Sequence, residues 1–355
     1  MGRRTVRGKG PMLAKLETTL PTGPGWTYEP KWDGFRCLVT VDGDVSFVSR
    51  DDRPMMRYFP EVVEMLDGFD AGTFIADGEL VLVRHDGVLS FEELQLRLHP
   101  AASRVKKLAG EIPATVFLFD LLREGDEDLQ QRPLSERRER LATIAARIGA
   151  EPVPERPGVL RPGPETRLTP WTDDLGVAKR WYADEGWLGE DGILAKRADS
   201  TYQPGVRGWV KVKHRRTTDC VVGGYRLSKS GDGVGSLLLG LYDDDGNLHY
   251  VGHTSSFRAA ERRTLLEQLA PLVGGAGFGG DARSPGGPSR WSAGRESSWV
   301  SLDPILVCEV TYERVQSGRF RHSATFVRWR DDRDPRSCTF EQVGAEPPPW
   351  WGEQE

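Results

Sequence analysis

The chain has 355 residues, 38% hydrophobic and 28% charged, the balance of a soluble globular protein of two or three domains. No run of about 18 apolar residues is present, so no membrane span is expected. The basic start MGRRTVRGKG leads into no apolar segment, so it does not read as a secretory signal, and a cytoplasmic location is expected.

The four cysteines (Cys37, Cys220, Cys308 and Cys338) include no CxxC pair. That argues against a zinc site or a disulfide framework and for small buried hydrophobes. The net charge of −5, taken whole, does not point to nucleic acid. Its distribution does. Arg207, Lys211, Lys213, Arg215 and Arg216 lie within 206–216 with no acid, and 313–336 holds seven arginines against four acids, with Phe320, Phe326 and Trp329 interleaved. EGDED at 124–128 offsets them. Segregated basic faces on an acidic chain are compatible with a phosphate-binding groove, although a solvated charged face is the commoner explanation of any single cluster.

In chain order, YEPKWDGFR (28–36) comes first. CLVTVDGDVSFVSR follows at once and reads as a hairpin turning at Asp42-Gly43. Lys31 therefore sits on a short loop at the mouth of a sheet. Apolar walls and neighbouring cations there would lower its pKa and free a nucleophilic lone pair, although a surface lysine beside a turn has the same local text. FPEVVEML (59–66) predicts a short helix, and TFIADGELVLVR (73–84) a strand crossed by an acid. Ser90 and Glu93 form a capping box for a helix to about Leu98. TVFLFDLL (115–122) is apolar enough for a strand buried on both faces. Residues 133–148 and 173–186 read as helices around the Pro-rich loop 151–164, and DGILAKR (191–197) and GWVKVKH (208–214) as strands. This irregular alternation predicts an α+β domain of antiparallel sheets rather than a doubly wound parallel one.

From about Thr217 the text changes to short strands: DCVVGGYRL, GSLLLGLYD, LHYVGH, PILVCEVTYE and HSATFVRWR, interrupted by one helix near 256–270. That is the profile of a small barrel of the oligonucleotide-binding (OB) type. Residues 274–289 are Gly-rich, but no GxxxxGK[ST] follows, so they read as a linker.

Several chemical residues recur beside these strands. Arg50 ends the first hairpin. Glu79 stands mid-strand, where an acid is costly unless paired or metal-bound. Phe119 and Asp120 end a buried strand, and Asp191-Gly192 opens the strand that leads to Lys196. Lys211 and Lys213 share one face of their strand, so an anion is expected over them. Each has a bland alternative as a core aromatic or a salt-bridged acid. Together they list what a nucleotide site needs: Lys31 as nucleophile, Glu79 and Asp191 as metal acids, Phe119 as a stacking ring, and Lys211 with Lys213 as a phosphate clamp.

The ordered set KWDGFR, VSR, ADGEL, FDLL, DGILAK and WVKVK, with RWRDDRDP at 328–335, resembles motifs I, Ia, III, IIIa, IV, V and VI of the covalent nucleotidyltransferases. The likeness runs from PMLAKL to about residue 340 and is greatest to ATP-dependent DNA ligases of the bacterial LigC type and the ligase domain of LigD. It implies a nucleotidyltransferase (ATP-grasp-like) domain over 1–215, an OB-fold barrel over 216–345 and a tail over 346–355. With no room for further modules, the chain reads as a stand-alone ligase.

The resemblance also implies roles. Lys31 would carry AMP as a phosphoramidate. Glu29 and the backbone at 29–30 would read the adenine edge, and Phe119 would stack on the base. Arg36 and Arg50 would bind ribose and then the nick phosphate, and Glu79 the ribose hydroxyl or a metal. Asp191 stands where the wider family has glutamate, with Glu190 as an adjacent substitute. Lys196, Lys211 and Lys213 would surround the nucleotide, and Arg215 and Arg216 would touch DNA. Arg330 and Asp332 fit the last motif, in which Arg333 replaces a lysine. The implied reaction uses ATP and Mg2+ (or Mn2+) to seal nicked duplex DNA through lysyl-AMP and DNA-adenylate, with a mobile joint near 214–219. A repair role, Ku-type partners and a monomeric state follow from the same likeness. RNA ligases or capping-type transferases, and a non-catalytic nucleic-acid-binding relative, are the alternatives; retention of Lys31, Glu79, Lys211 and Lys213 weighs against the last.

Overall fold

The computed structural model describes residues 10–67, 72–154, 159–183, 191–278 and 298–347. Glu190, most of the expected 274–289 linker and the tail from residue 348 lie outside the described residues. Contacts divide the chain into two compact units, Met1–His214 and Arg215–Glu355.

The first unit contains β1 (Leu13–Glu17), β2 (Trp26–Pro30), β3 (Phe35–Asp42), β4 (Asp44–Ser49), α1 (Pro60–Asp67), β5 (Phe74–Leu82), α2 (Phe91–Leu96), α3 (Ala102–Glu111), β6 (Ala114–Glu124), β7 (Glu127–Asp128), α4 (Leu134–Arg147), β8 (Thr166–Leu168), α5 (Leu175–Ala183), β9 (Ile193–Arg197) and β10 (Arg207–Val212). They form two sheets, ordered β4-β3-β5-β6-β7 with β8 beside β6, and β1-β10-β9-β2. Pairing is antiparallel except for β1 with β10 and β6 with β8, so the antiparallel α+β expectation holds. β1, β8 and α3 were not foreseen. LAKLE has no clean alternation of apolar residues, and its partner β10 lies far along the chain.

Alternation decides which side chains reach the site. In the larger sheet Cys37, Val39, Phe74, Ala76, Leu80, Val116 and Leu118 bury one face in a core shared with Val62 and Leu66 of α1 and Leu141 and Ile144 of α4. On the opposite face Arg36, Glu79 and Phe117 stand directly across from one another on three neighbouring strands. Asp77 pairs with Asp120 and Gly78 with Leu118, so Phe119 is the extra residue of a bulge. Ser90 caps α2 by accepting from Glu93 N at 3.2 Å.

The second unit contains β11 (Arg216–Leu227), β12 (Val234–Tyr242), β13 (Leu248–Thr254), α6 (Ala259–Leu269), β14 (Val300–Ser301), β15 (Val307–Tyr312), β16 (Val315–Gln316), β17 (Arg319–Phe320) and β18 (Thr325–Trp329). Its main sheet runs β13-β12-β11-β15-β18, with β14 beside β11. The two edges meet: Thr254 bridges Ala324, and Phe326 N donates to Thr254 Oγ1 at 3.1 Å. The sheet therefore curls into a small barrel consistent with the OB type. All four cysteines are free and buried, as expected. Cys220 and Cys308 face each other across β11 and β15, and Cys338 joins the same core. Among the described residues, no helix is long and apolar enough to cross a membrane.

Candidate active site

The loop after β2 is tied to the start of β9. Lys31 N donates to Gly192 O at 2.8 Å, and Asp191 N donates to Lys31 O at 2.7 Å. Gly192 has φ +127, and a Cβ there would stand 2.1 Å from Val212 O and 2.8 Å from Lys213 Cα. Only glycine lets the chain end at residues 212–213 approach so closely. The three segments thus bring Lys31, Asp191 and Lys213 together. Lys31 Nζ and Lys213 Nζ each lie 2.9 Å from Asp191 Oδ2. Burial alone would raise the Asp191 carboxyl, but the two ammonium groups outweigh it and hold the group well below the usual carboxylate range. The anion expected over Lys211 and Lys213 is, at Lys213, this carboxylate.

Glu79 belongs to the same pocket. Gly34 lies against β5 so closely that a Cβ would meet Leu80 O at 2.2 Å and Glu79 Cγ at 2.8 Å. Burial pushes the Glu79 carboxyl up to about 8, against the pull of Lys31 and Arg36 and with a further push from Asp77 and Asp33. Beside Lys31, Trp32 is pinned by its Nε1 donating to Thr169 Oγ1 at 2.9 Å and by its edge on Phe117, with centroids 4.9 Å apart.

Arg36 faces this pocket with its fork already engaged. Nε and Nη2 donate to the two oxygens of Asp77 at 2.9 and 2.6 Å, and Nη1 donates to Met12 O at 2.6 Å. Tyr202 OH donates to Asp77 Oδ2 at 2.6 Å and accepts from Met12 N at 3.1 Å. Burial would lower the guanidinium pKa; Asp77 raises it further, so the group stays charged.

Glu29 is fully buried in an ionic triad. Lys196 contacts Oε1, and Arg138 donates to Oε2 while also donating to Thr27 Oγ1 at 2.9 Å. The buried Lys196 ammonium also lies 4.4 Å from the centroid of Phe119 and 4.0 Å from that of Trp209, and burial lowers its pKa. Phe119 is only 6% exposed and meets Trp209 edge-on at 6.2 Å. The next residue, Asp120, is gripped by both Nε and Nη2 of Arg137, at 2.7 and 2.8 Å. Two consecutive arginines of α4 therefore brace two of the motif strands, β2 and β6. Neither arginine was marked in the sequence, where 133–148 reads only as a helix. Nor were Asp77 and Tyr202, which orient Arg36.

The remaining candidates lie on other segments of the chain. Arg50 is exposed in the turn after β4 and touches Asp51 at 3.4 Å. Arg215 is exposed and Arg216 half-buried at the start of the second unit, the latter donating to Glu313 O at 2.8 Å. In that unit Arg330 grips both oxygens of Asp219 at 3.1 Å and both of Asp332 at 2.8 and 2.9 Å, and Arg333 lies 3.6 Å from Asp219. Asp219 is a further residue that the sequence reading missed.

The fold and site define a nucleotidyltransferase of the ligase kind. A family model described as "ATP dependent DNA ligase domain" matches residues 11–213, and one described as "ATP dependent DNA ligase C terminal region" matches residues 230–333. The chain belongs to the ATP-dependent DNA ligase family. Within it, the chain is 49% identical over 351 residues to "DNA ligase C2" of Mycolicibacterium smegmatis, covering 95% of this chain and 94% of that protein. It is 46% identical over 345 residues to "DNA ligase C" of Mycobacterium tuberculosis, covering 94% and 93%. Among solved structures, a Lig E DNA ligase described as "DNA binding with a minimal scaffold" superposes with a TM-score of 0.54 at 16% identity, covering 90% of this chain and 99% of that one. That likeness shows the shared fold. The LigC-type resemblance read from the motifs is borne out.

Proposed function

We propose that this chain seals nicks in duplex DNA by carrying AMP on Lys31. The carrying observation is the convergence of Lys31 and Lys213 on one oxygen of Asp191, with the Glu79 carboxyl under the influence of the Lys31 charge. In the first step Lys31 Nζ, releasing its protons to solvent, forms a bond to the α-phosphorus of ATP as the bond to pyrophosphate breaks. Asp191 orients the amine, and Lys211 and Lys213 face the phosphate oxygens. In the second step AMP passes from Lys31 to a DNA 5′-phosphate. In the third a 3′-hydroxyl attacks that phosphate and AMP leaves. Each step is an in-line transfer in which positioned charge does most of the catalysis.

Phe119 would stack on adenine, with Lys196 and Glu29 nearby and the backbone at 29–30 on the base edge. Arg36, its fork oriented by Asp77, would take ribose and later the nick phosphate together with Arg50. Arg215 and Arg216 would touch the duplex. Arg330 would engage the leaving pyrophosphate, using the joint expected at 214–219.

Both lysines contact the same oxygen of Asp191, Oδ2. Among the described residues no group of three or more His, Cys, Asp or Glu is placed to hold a metal ion. A hard cation in a nucleotide site is commonly held by one or two carboxylates together with the nucleotide's own phosphates. Glu79 and Asp191 are the residues that would hold magnesium or manganese there, where it neutralises charge on the transferred phosphate. With nicks as its substrate the protein would act in the cytoplasm in DNA repair, as a monomer and with Ku-type end-joining proteins as candidate partners.

The test is incubation with magnesium and α-labelled ATP beside Lys31→Ala. Wild type takes an acid-labile label and the variant does not; nicked duplex then discharges the label into sealed product. A wild-type protein that stays unlabelled would sink the reading.

A further inference from the structure

We propose that Tyr182 is a positioning residue for Lys213, its hydroxyl holding the main chain from which that ammonium reaches the transferred phosphate. The inference rests on the nick-sealing reading and extends its site to α5.

Lys213 stands where the sheet stops supporting the chain. β10 ends at Val212, and its registers with β1 and with β9 both end at that residue, opposite Glu17 and Ile193. If the Lys213 ammonium is to keep one place, the anchors must come from outside the ladder. Asp191 supplies one at the tip, 2.9 Å from Nζ. The close approach of Gly192 limits the main chain on one side. Tyr182 supplies a third, since its hydroxyl donates to Lys213 O at 3.1 Å. The same ring stacks on the next residue, His214, with centroids 4.4 Å apart and planes 18° apart. His214 is buried and is the last residue of the first unit. One side chain thus grips two consecutive residues just past the end of the strand.

That grip is only as firm as α5, and α5 is well rooted. At its start Asp174 Oδ1 accepts from Gly176 N at 2.6 Å and from Val177 N at 3.3 Å, an N-terminal cap. Along its inner face Ala178 and Trp181 are buried in one cluster with Tyr28 of β2 and Ile193 and Ala195 of β9. Tyr182 lies one helical turn after Ala178 and packs against the same cluster. β2 leads into Lys31, and β9 starts just after Asp191. The helix therefore ties Lys213 to the frame that carries the nucleophile and its carboxylate.

Placement matters here because a shift of about 1 Å in a group that acts on the reacting atoms can slow a transfer by about 100-fold. A water taking the place of the hydroxyl would satisfy the Lys213 carbonyl without tying it to α5.

The experiment measures single-turnover labelling of Lys31 by α-labelled ATP, over a range of ATP concentrations, in wild type, Tyr182→Phe, Lys213→Gln and the double variant, the slow reactions being followed for hours. Tyr182→Phe keeps the ring on His214 and removes only the hydroxyl. Its maximal labelling rate should fall by about tenfold. The half-saturating ATP concentration should change little, because the loss falls on charge that develops during transfer. In the Lys213→Gln background the same change should have little further effect, since the group being positioned is gone. Tyr182→Leu, which removes the ring as well, should label more slowly than Tyr182→Phe. A wild-type rate in Tyr182→Phe overturns the proposal. So does an equal fall in both backgrounds, which would leave Tyr182 a packing role alone. A wild-type chain that takes no label overturns the nick-sealing reading instead, so the two failures are distinct.

Discussion

Lys31 and Asp191 are 160 residues apart in the chain, yet Lys31 Nζ donates to Asp191 Oδ2 at 2.9 Å and Asp191 N donates to Lys31 O at 2.7 Å. Asp191 thereby bridges two ammonium groups in a half-buried pocket and fixes the direction of the nucleophile. Asp191→Asn keeps the shape and removes the charge. Transfer of label from ATP to Lys31 should slow by about 100-fold or more. Asp191→Glu, which keeps the charge, should lose much less in the same single-turnover assay. Wild-type labelling by the asparagine variant would remove Asp191 from the site.

Glu79 gives a pH signature. Its carboxyl is raised from 4.5 to about 8 in the folded protein, so the folded state binds the proton more tightly than the unfolded state does. The stability linked to that proton is fully present below the unfolded carboxylate range and is lost as pH climbs through 8. Glu79→Gln removes the titration. In the absence of nucleotide, the unfolding midpoint of the variant should gain on that of wild type as pH is raised from about 5 to about 9. A gap that does not change with pH would contradict the assignment.

Gly192→Ala and Gly34→Ala should each damage the site through the backbone. An added Cβ at either position meets a carbonyl oxygen at 2.1 or 2.2 Å, and both carbonyls belong to strands, β10 and β5, that are paired on both sides. Each change should cost about 3 kcal/mol or more in urea unfolding and suppress labelling of Lys31. Gly43→Ala is the comparison, since a Cβ there meets nothing within 4 Å; it should bear only the strain of its positive φ.

The Glu29 triad predicts an order of effects. Arg138→Met leaves Lys196 still paired with Glu29, whereas Glu29→Gln leaves two buried cations without a counter-ion. Stripping a buried ion of its partner costs about 3–5 kcal/mol. Denaturant unfolding should therefore find Glu29→Gln the more destabilising. The reverse order would mean that Arg138 contributes mainly by packing.

Much of this was legible in the sequence. The hairpin of β3 and β4, the buried β6, α1 and the strand series of the barrel follow from short-range alternation and turn residues. Glu79 could be singled out from residue type, since an acid in an apolar strand is costly unless something pairs it; Lys31, Asp191 and Lys213 were singled out from the motifs. The parallel partners β1 and β8 were not, because each is a short segment that becomes a strand only by lying against a distant one.

What only the tertiary structure decided is which charge meets which. Local text cannot say that Lys213 and Lys31 share one carboxylate oxygen, that the Arg36 fork is held by Asp77 and Tyr202, or that a bulge sets Phe119 among Lys196, Arg36 and Trp209. Periodicity reports the side of a strand on which a residue points, because the backbone repeats every two residues. Pairing across the fold depends instead on register, bulges and close approaches such as those at Gly34 and Gly192, which exist only once remote segments have packed.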